Sequence, residues 1–164
     1  MDFEAGRQIL SPNVWGRDSE FFETVVRLAD QPATAAIVPA AARIDRALPS
    51  RHALFGTFSP DGAAATSPTT AWLRLLGEVA LTLQSRAREP ATTRLHVLDC
   101  GAASRFRLVL EAHDPVLAEA CLREAATLLA RALTHDLDDL GPLIERLTEL
   151  ADDVCVGPGT MLIV

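Results

Sequence analysis

Between Thr70 and Glu111 the spacing of apolar residues changes period once, from a helix repeat to a strand repeat, and this switch limits the fold more than any other feature. Trp72, Leu73, Leu76, Val79, Ala80 and Leu83 recur at helical spacing. A helix capped by Thr69 or Thr70 and running to about Arg88 therefore carries one apolar stripe that must pack on another layer. RLHVLD (residues 94–99) and RFRLVLE (105–111) then alternate about a Cys100, Gly101, Ala102 turn, the signature of a hairpin with a connection slightly longer than two residues. Leu95 and Val97 share the core face with Phe106, Leu108 and Leu110.

The flanking segments extend the same pattern. FFETVVRL (21–28) reads as a strand with Phe22, Thr24, Val26 and Leu28 on one face, ended by Asp30, Gln31 and Pro32. A short helix is expected from about Ala40 to Leu48, stopped by Pro49 and Ser50, followed by a long Gly, Ser, Thr and Pro-rich loop to Pro68. Asp114 as N-cap and Pro115 as first residue open a second amphipathic helix to about Thr134, with Val116, Leu117, Ala120, Cys121, Leu128 and Leu129 inward. A third helix spans about Leu140 to Asp152, and Met161 to Val164 can add a short strand. The expected fold is a single α+β domain over residues 1–164, a small, mostly antiparallel sheet with helices packed on one face.

Composition narrows the chemistry. With 49% apolar and 23% charged residues the chain can bury a core, and its net charge of −7 argues against nucleic acid as a partner, since phosphate neutralisation needs clustered cations. All 15 basic residues are arginine, which excludes lysine nucleophiles and Schiff bases. Cys100, Cys121 and Cys155 stand far apart with no C-x-x-C spacing, so free thiols and a reducing cytoplasm are expected. No signal peptide is visible at the start, and no apolar run approaches the ~20 residues of a membrane span, so a membrane is not expected as a partner. His52, His96, His113 and His135 fall on different elements without metal-ligand spacing, so neither a metal nor a cofactor is expected. The common nucleophile and phosphate-loop motifs are missing, and Gly-Pro-Gly-Thr at 157–160 follows a helix instead of opening one.

One constellation has binding chemistry. Arg94, His96, Arg105 and Arg107 alternate onto the hairpin face opposite the apolar residues, and such a stripe suits carboxylates. The plainer reading is a solvated sheet face balanced by nearby acids. Arg27 extends the stripe if its strand adjoins the hairpin. On the middle helix Arg74 and Glu78, four residues apart and opposite the apolar stripe, can pair.

Three segments in order, SPNVWGR (11–17), EVALTLQ (78–84) and LADDVCVGPGT (150–160), resemble the R-G-P-N-x-W segment, the E-H-V-A-L-E-L-Q helix and the closing A-E-D-V-x-L-G-P-S-T of the N-terminal domain of cyanophycin synthetases. The likeness spans nearly the whole chain, is weak between these segments, and departs at Ser11, where the family has glycine. In that family the domain precedes an ATP-grasp ligase domain and a Mur-ligase-like domain, which build a polymer of aspartate with arginine branches. The resemblance implies a free-standing or excised polymer-holding module, unable by itself to activate a carboxylate with ATP. It adds Asn13 and Trp15 to Arg94, Arg105, Arg107, Arg74 and Glu78 as candidate binding residues. Some members carry H-x-x-E-H on the middle helix; here Arg74, Gly77 and Glu78 occupy its His, Glu and His positions, which removes the ligands and the base that metal-dependent hydrolysis requires. An Arg74–Glu78 pair would then act as a plug or as a carboxylate fork.

The expected function is a non-catalytic binding or accessory domain. It holds an amino-acid-derived chain or docks onto an ATP-dependent amide ligase. The alternatives are a peptidase-like hydrolase using unrecognised residues, or a structural oligomerisation module. Expected partners are an ATP-grasp or Mur-type ligase, an acidic peptide or amino-acid polymer, and a second copy of the chain.

Overall fold

The computed structural model describes residues 1–10, 20–28, 32–49, 67–88, 92, 94–101 and 104–155. Among these, five strands form one antiparallel sheet and four helices pack against it, the α+β arrangement expected. The strands are β1 (Asp2–Phe3), β2 (Arg7–Leu10), β3 (Glu20–Arg27), β4 (Leu95–Asp99) and β5 (Arg105–Glu111). Their order is β1-β3-β5-β4, with β2 pairing on β3 alongside β1. β1 and β2 were not expected, because two to four residues with so little apolar content carry no readable alternation. They are held by pairing with β3 and by the buried Thr24, whose hydroxyl donates to the Glu4 carbonyl at 2.8 Å.

The helices are α1 (Thr34–Ala47), α2 (Pro68–Ala87), α3 (Pro115–Ala132) and α4 (Gly141–Cys155). α1 begins six residues before the expected Ala40 and passes through Pro39. Proline in a helix interior costs about 3 kcal/mol. Here it is exposed, while Ile37, Ala40, Ala41, Ile44 and Leu48 bury a continuous stripe, each large aliphatic contributing roughly 1.5 to 3 kcal/mol, so burial prevails. α2 starts two to three residues earlier than Thr69 or Thr70 as cap would allow. Ser67 is the cap: its Oγ accepts from Thr70 N at 3.2 Å, and Pro68 fills the first helical position, where its missing N–H is harmless. At α3 the expected cap is found, with Asp114 Oδ1 accepting from Val116 N (2.8 Å) and Leu117 N (3.1 Å).

α2 is the hub, meeting the other three helices, β4 and β5. It is buried around most of its circumference, leaving a narrow outward strip that includes Arg74, Glu78 and Arg86. The core lies between the helices and the inner sheet face of Phe22, Val26, Leu108 and Leu110, with Leu95, Val97 and Phe106 at its margin, as the hairpin alternation requires. Val116 is a correction: it is 51% exposed, because the α3 stripe runs through Leu117, Ala118, Cys121, Leu122 and Ala125 and leaves position 116 to one side. No described helix is long and apolar enough to cross a membrane. The expected 50–68 loop, up to residue 66, and the expected strand 161–164 lie outside the described residues.

Candidate functional site

The sheet face turned away from the helices is built by register. Arg27 pairs with Arg105, Val25 with Arg107, Glu23 with Val109 and Phe21 with Glu111, while Leu98 pairs with Arg107 and His96 with Val109. Because side chains alternate along each strand, Arg105, Arg107, His96 and Arg94 share this outer face, and the adjacency of Arg27 that the sequence left open is realised. Phe21 and Val109 also point this way and are fully buried, apart from the helix-side core.

Two carboxylates organise the arginines. Glu4 Oε1 accepts from Arg27 Nη2 and from Arg105 Nη2, both at 3.0 Å. Glu23 Oε2 accepts from Arg7 Nη2 at 3.4 Å, and its Oε1 lies 3.7 Å from Arg107 Nη1. Four guanidinium groups thus share two acids, and like charges set opposite one another, as at Arg27 and Arg105, are held together by the carboxylate between them. Among the described residues the buried Arg105 Nε–H has no hydrogen-bond partner. This is the acid-balanced face that the plainer reading of the stripe anticipates. Glu4 and Glu23 do not stand out in the sequence as its organisers because nothing local links Glu4 to Arg105, 101 positions on, or Glu23 to Arg107.

At the other edge, Gly77 explains itself sterically. A Cβ at that position would stand 2.4 Å from Leu95 Cδ1, so any larger residue there forces the Leu95 side chain to shift. A glutamate there would be driven against Leu95 instead of facing a substrate. Arg74, one turn earlier, is exposed, and Glu78 is half-buried and has further interactions of its own. The charge of Arg74 acts on His96, whose pKa lies below its ordinary value through burial first, then Arg74, then Arg94. The Phe21 ring stands against the imidazole, centroids 6.5 Å apart.

Asn13 and Trp15 lie outside the described residues, as do all of SPNVWGR and the end of the closing segment from residue 156. Among the described residues no group of three or more His, Cys, Asp or Glu side chains is placed to hold a metal ion. Cys121 is buried in the core, its thiol pushed up to about 12 by burial and then by Glu124, and Cys100 is exposed at the hairpin turn. Two grooves flank α3. One of about 710 Å³ is lined by Arg131, Thr134, His135 and Asp138, and one of about 450 Å³ by Trp72, Leu28, Leu129 and Leu133. Neither includes the outer-face arginines.

The fold and this face define an α+β domain with an arginine and glutamate network on the sheet face away from the helices. No family model and no curated protein matches the chain.

Proposed function

We propose that this chain is a non-catalytic binding domain that holds an acidic, amino-acid-derived chain on its outer sheet face. It serves as a cytoplasmic accessory to an ATP-grasp or Mur-type amide ligase, in keeping with its resemblance to the N-terminal domain of cyanophycin synthetases. The observation that carries the reading is the sharing of Glu4 and Glu23 among four arginines. Ion pairing of this kind contributes little stability on an exposed face, about 0 to 1 kcal/mol per pair, but it orders long side chains in advance. A ligand carboxylate then meets guanidinium forks whose rotamer entropy has already been spent, which favours bidentate capture. The net charge of −7 opposes an acidic ligand at long range, and at contact the local network governs.

The test is a calorimetric titration of oligo-aspartate and of an aspartate–arginine polymer into the wild type and Arg105→Ala/Arg107→Ala. The expected result is binding that weakens with added salt and falls at least tenfold in the variant. Equal affinities, or no binding by either protein, would overturn the reading.

A further inference from the structure

We propose that the two grooves beside α3 form one binding site for a free α-amino acid with a large apolar side chain. Its charged head is held between Arg131 and Asp138, and its side chain lies in the groove beside Trp72. The inference is independent of the function proposed above, since neither groove includes the outer-face arginines or the glutamates that organise them.

The two grooves meet on α3. Thr127 and Ala130, both exposed and three residues apart, line the one of about 710 Å³ and the one of about 450 Å³ alike. The spaces therefore adjoin across a divide of two small side chains. Ligand sites commonly enclose about 300 to 1,000 Å³ and combine an apolar lining with a few polar groups that fix orientation. The smaller groove supplies the apolar part, from Trp72, Leu28, Leu129 and Leu133. The larger one supplies the polar part.

Most polar groups of the larger groove are already satisfied. Thr134 Oγ1 and His135 Nδ1 bond each other at 2.7 Å, and the Thr127 hydroxyl donates to the Arg123 carbonyl at 3.2 Å. Asp136 Oδ1 accepts from Arg46 Nη2 at 3.2 Å and lies 3.6 Å from Arg43 Nε. Among the described residues this leaves Arg131 and Asp138 as the charged groups of the lining that form no ion pair, either with each other or with a neighbour. Opposite charges that share a groove without closing on one another match a ligand that carries both. The guanidinium fork takes the α-carboxylate, and the Asp138 carboxylate accepts from the α-ammonium. A simple anion or a simple cation would satisfy one of them and not the other.

The wall that carries these groups is braced from α1. Arg43 Nη1 donates to the Ala132 carbonyl at 2.7 Å, and the Thr134 and His135 amides donate to the Arg131 carbonyl at 3.2 and 2.9 Å. The end of α3 and the start of its connection to α4 are thereby tied together. Exposed ion pairs contribute little by themselves, so the head contacts select the ligand and burial of its side chain supplies the affinity.

The experiment titrates L-phenylalanine and L-leucine into the whole chain by calorimetry, beside glycine, N-acetyl-L-phenylalanine and L-phenylalaninamide. These three lack the apolar side chain, the ammonium and the carboxylate in turn, and each should bind at least about tenfold more weakly than L-phenylalanine. Arg131→Ala and Asp138→Asn should each weaken L-phenylalanine binding several-fold at an unchanged melting temperature. Ala130→Trp, which fills the divide from an exposed position, should abolish it. In Trp15→Phe, where Trp72 is the one tryptophan left, emission should shift on addition of L-leucine. Absence of saturable binding of both amino acids by the wild type would overturn the inference. So would equal affinity for either blocked derivative, or binding untouched by both Arg131→Ala and Asp138→Asn.

Discussion

At position 77 the approach of α2 to β4 sets two effects against each other. Alanine would gain about 1 kcal/mol of helix propensity, yet its Cβ would stand 2.4 Å from Leu95 Cδ1, and overpacking of that kind costs about 1 to 3 kcal/mol. Gly77→Ala should therefore destabilise by about 1 kcal/mol, whereas in a Leu95→Ala background the same change should stabilise by a similar amount. A urea-denaturation double-mutant cycle reads the sign directly. His96 gives a second residue-scale expectation. Its folded pKa is lowered, so the unfolded chain binds the proton first, and the stability present above the ordinary value of 6.5 is lost as pH falls through the folded pKa. Melting temperature followed from pH 7 to 5 should show a decline that is shallower in Arg74→Ala, which removes one opposing charge. For Cys121 the sign is opposite: the raised thiol pKa contributes stability that is lost as pH rises from 9.0 toward about 12. At neutral pH iodoacetamide should label Cys100 in the native protein and reach Cys121 only after unfolding.

Among the elements, α1 and α3 differ in how openly the sequence declares them. Asp114 and Pro115 announce α3 because capping is a matter of two or three neighbouring residues, and the structure places both oxygen–amide contacts where that chemistry puts them. Asp114→Ala should cost about 1 kcal/mol in thermal unfolding, with both amides left to water. Pro39 misleads for the same reason: read locally, it starts or breaks a helix. In the fold it lies on the solvent side of a helix whose opposite side is fully buried, so the local penalty is outweighed. Pro39→Ala should restore the missing backbone bond and stabilise by about 1 to 3 kcal/mol, and a lower melting temperature would count against this account of α1.

For the molecule as a whole, the outer-face network and the core are energetically separable. The core lies between the inner face and the helices, whereas Arg105 and Arg107 are about two-fifths exposed on the other side. Their double replacement by alanine should change stability by less than about 1 kcal/mol, so any loss of ligand binding in that variant reports on the face and not on the fold. Calorimetric melting of the two proteins in the same buffer checks this before the titrations are interpreted.

The sequence alone determined what depends on neighbours. Alternation in 94–99 and 105–111 sorted Leu95, Val97, Phe106, Leu108 and Leu110 from the arginines, and helical spacing drew the buried stripe of α2. Pairing across long stretches of chain was decided only in three dimensions. Glu4 and Arg105 are 101 positions apart and meet because β3 carries both its N-terminal partners and β5, so the carboxylates that hold the arginines arrive through sheet order. The contact of Gly77 with Leu95 likewise depends on how closely one packed layer approaches another. That distance is set by the whole interface, and no local propensity encodes it.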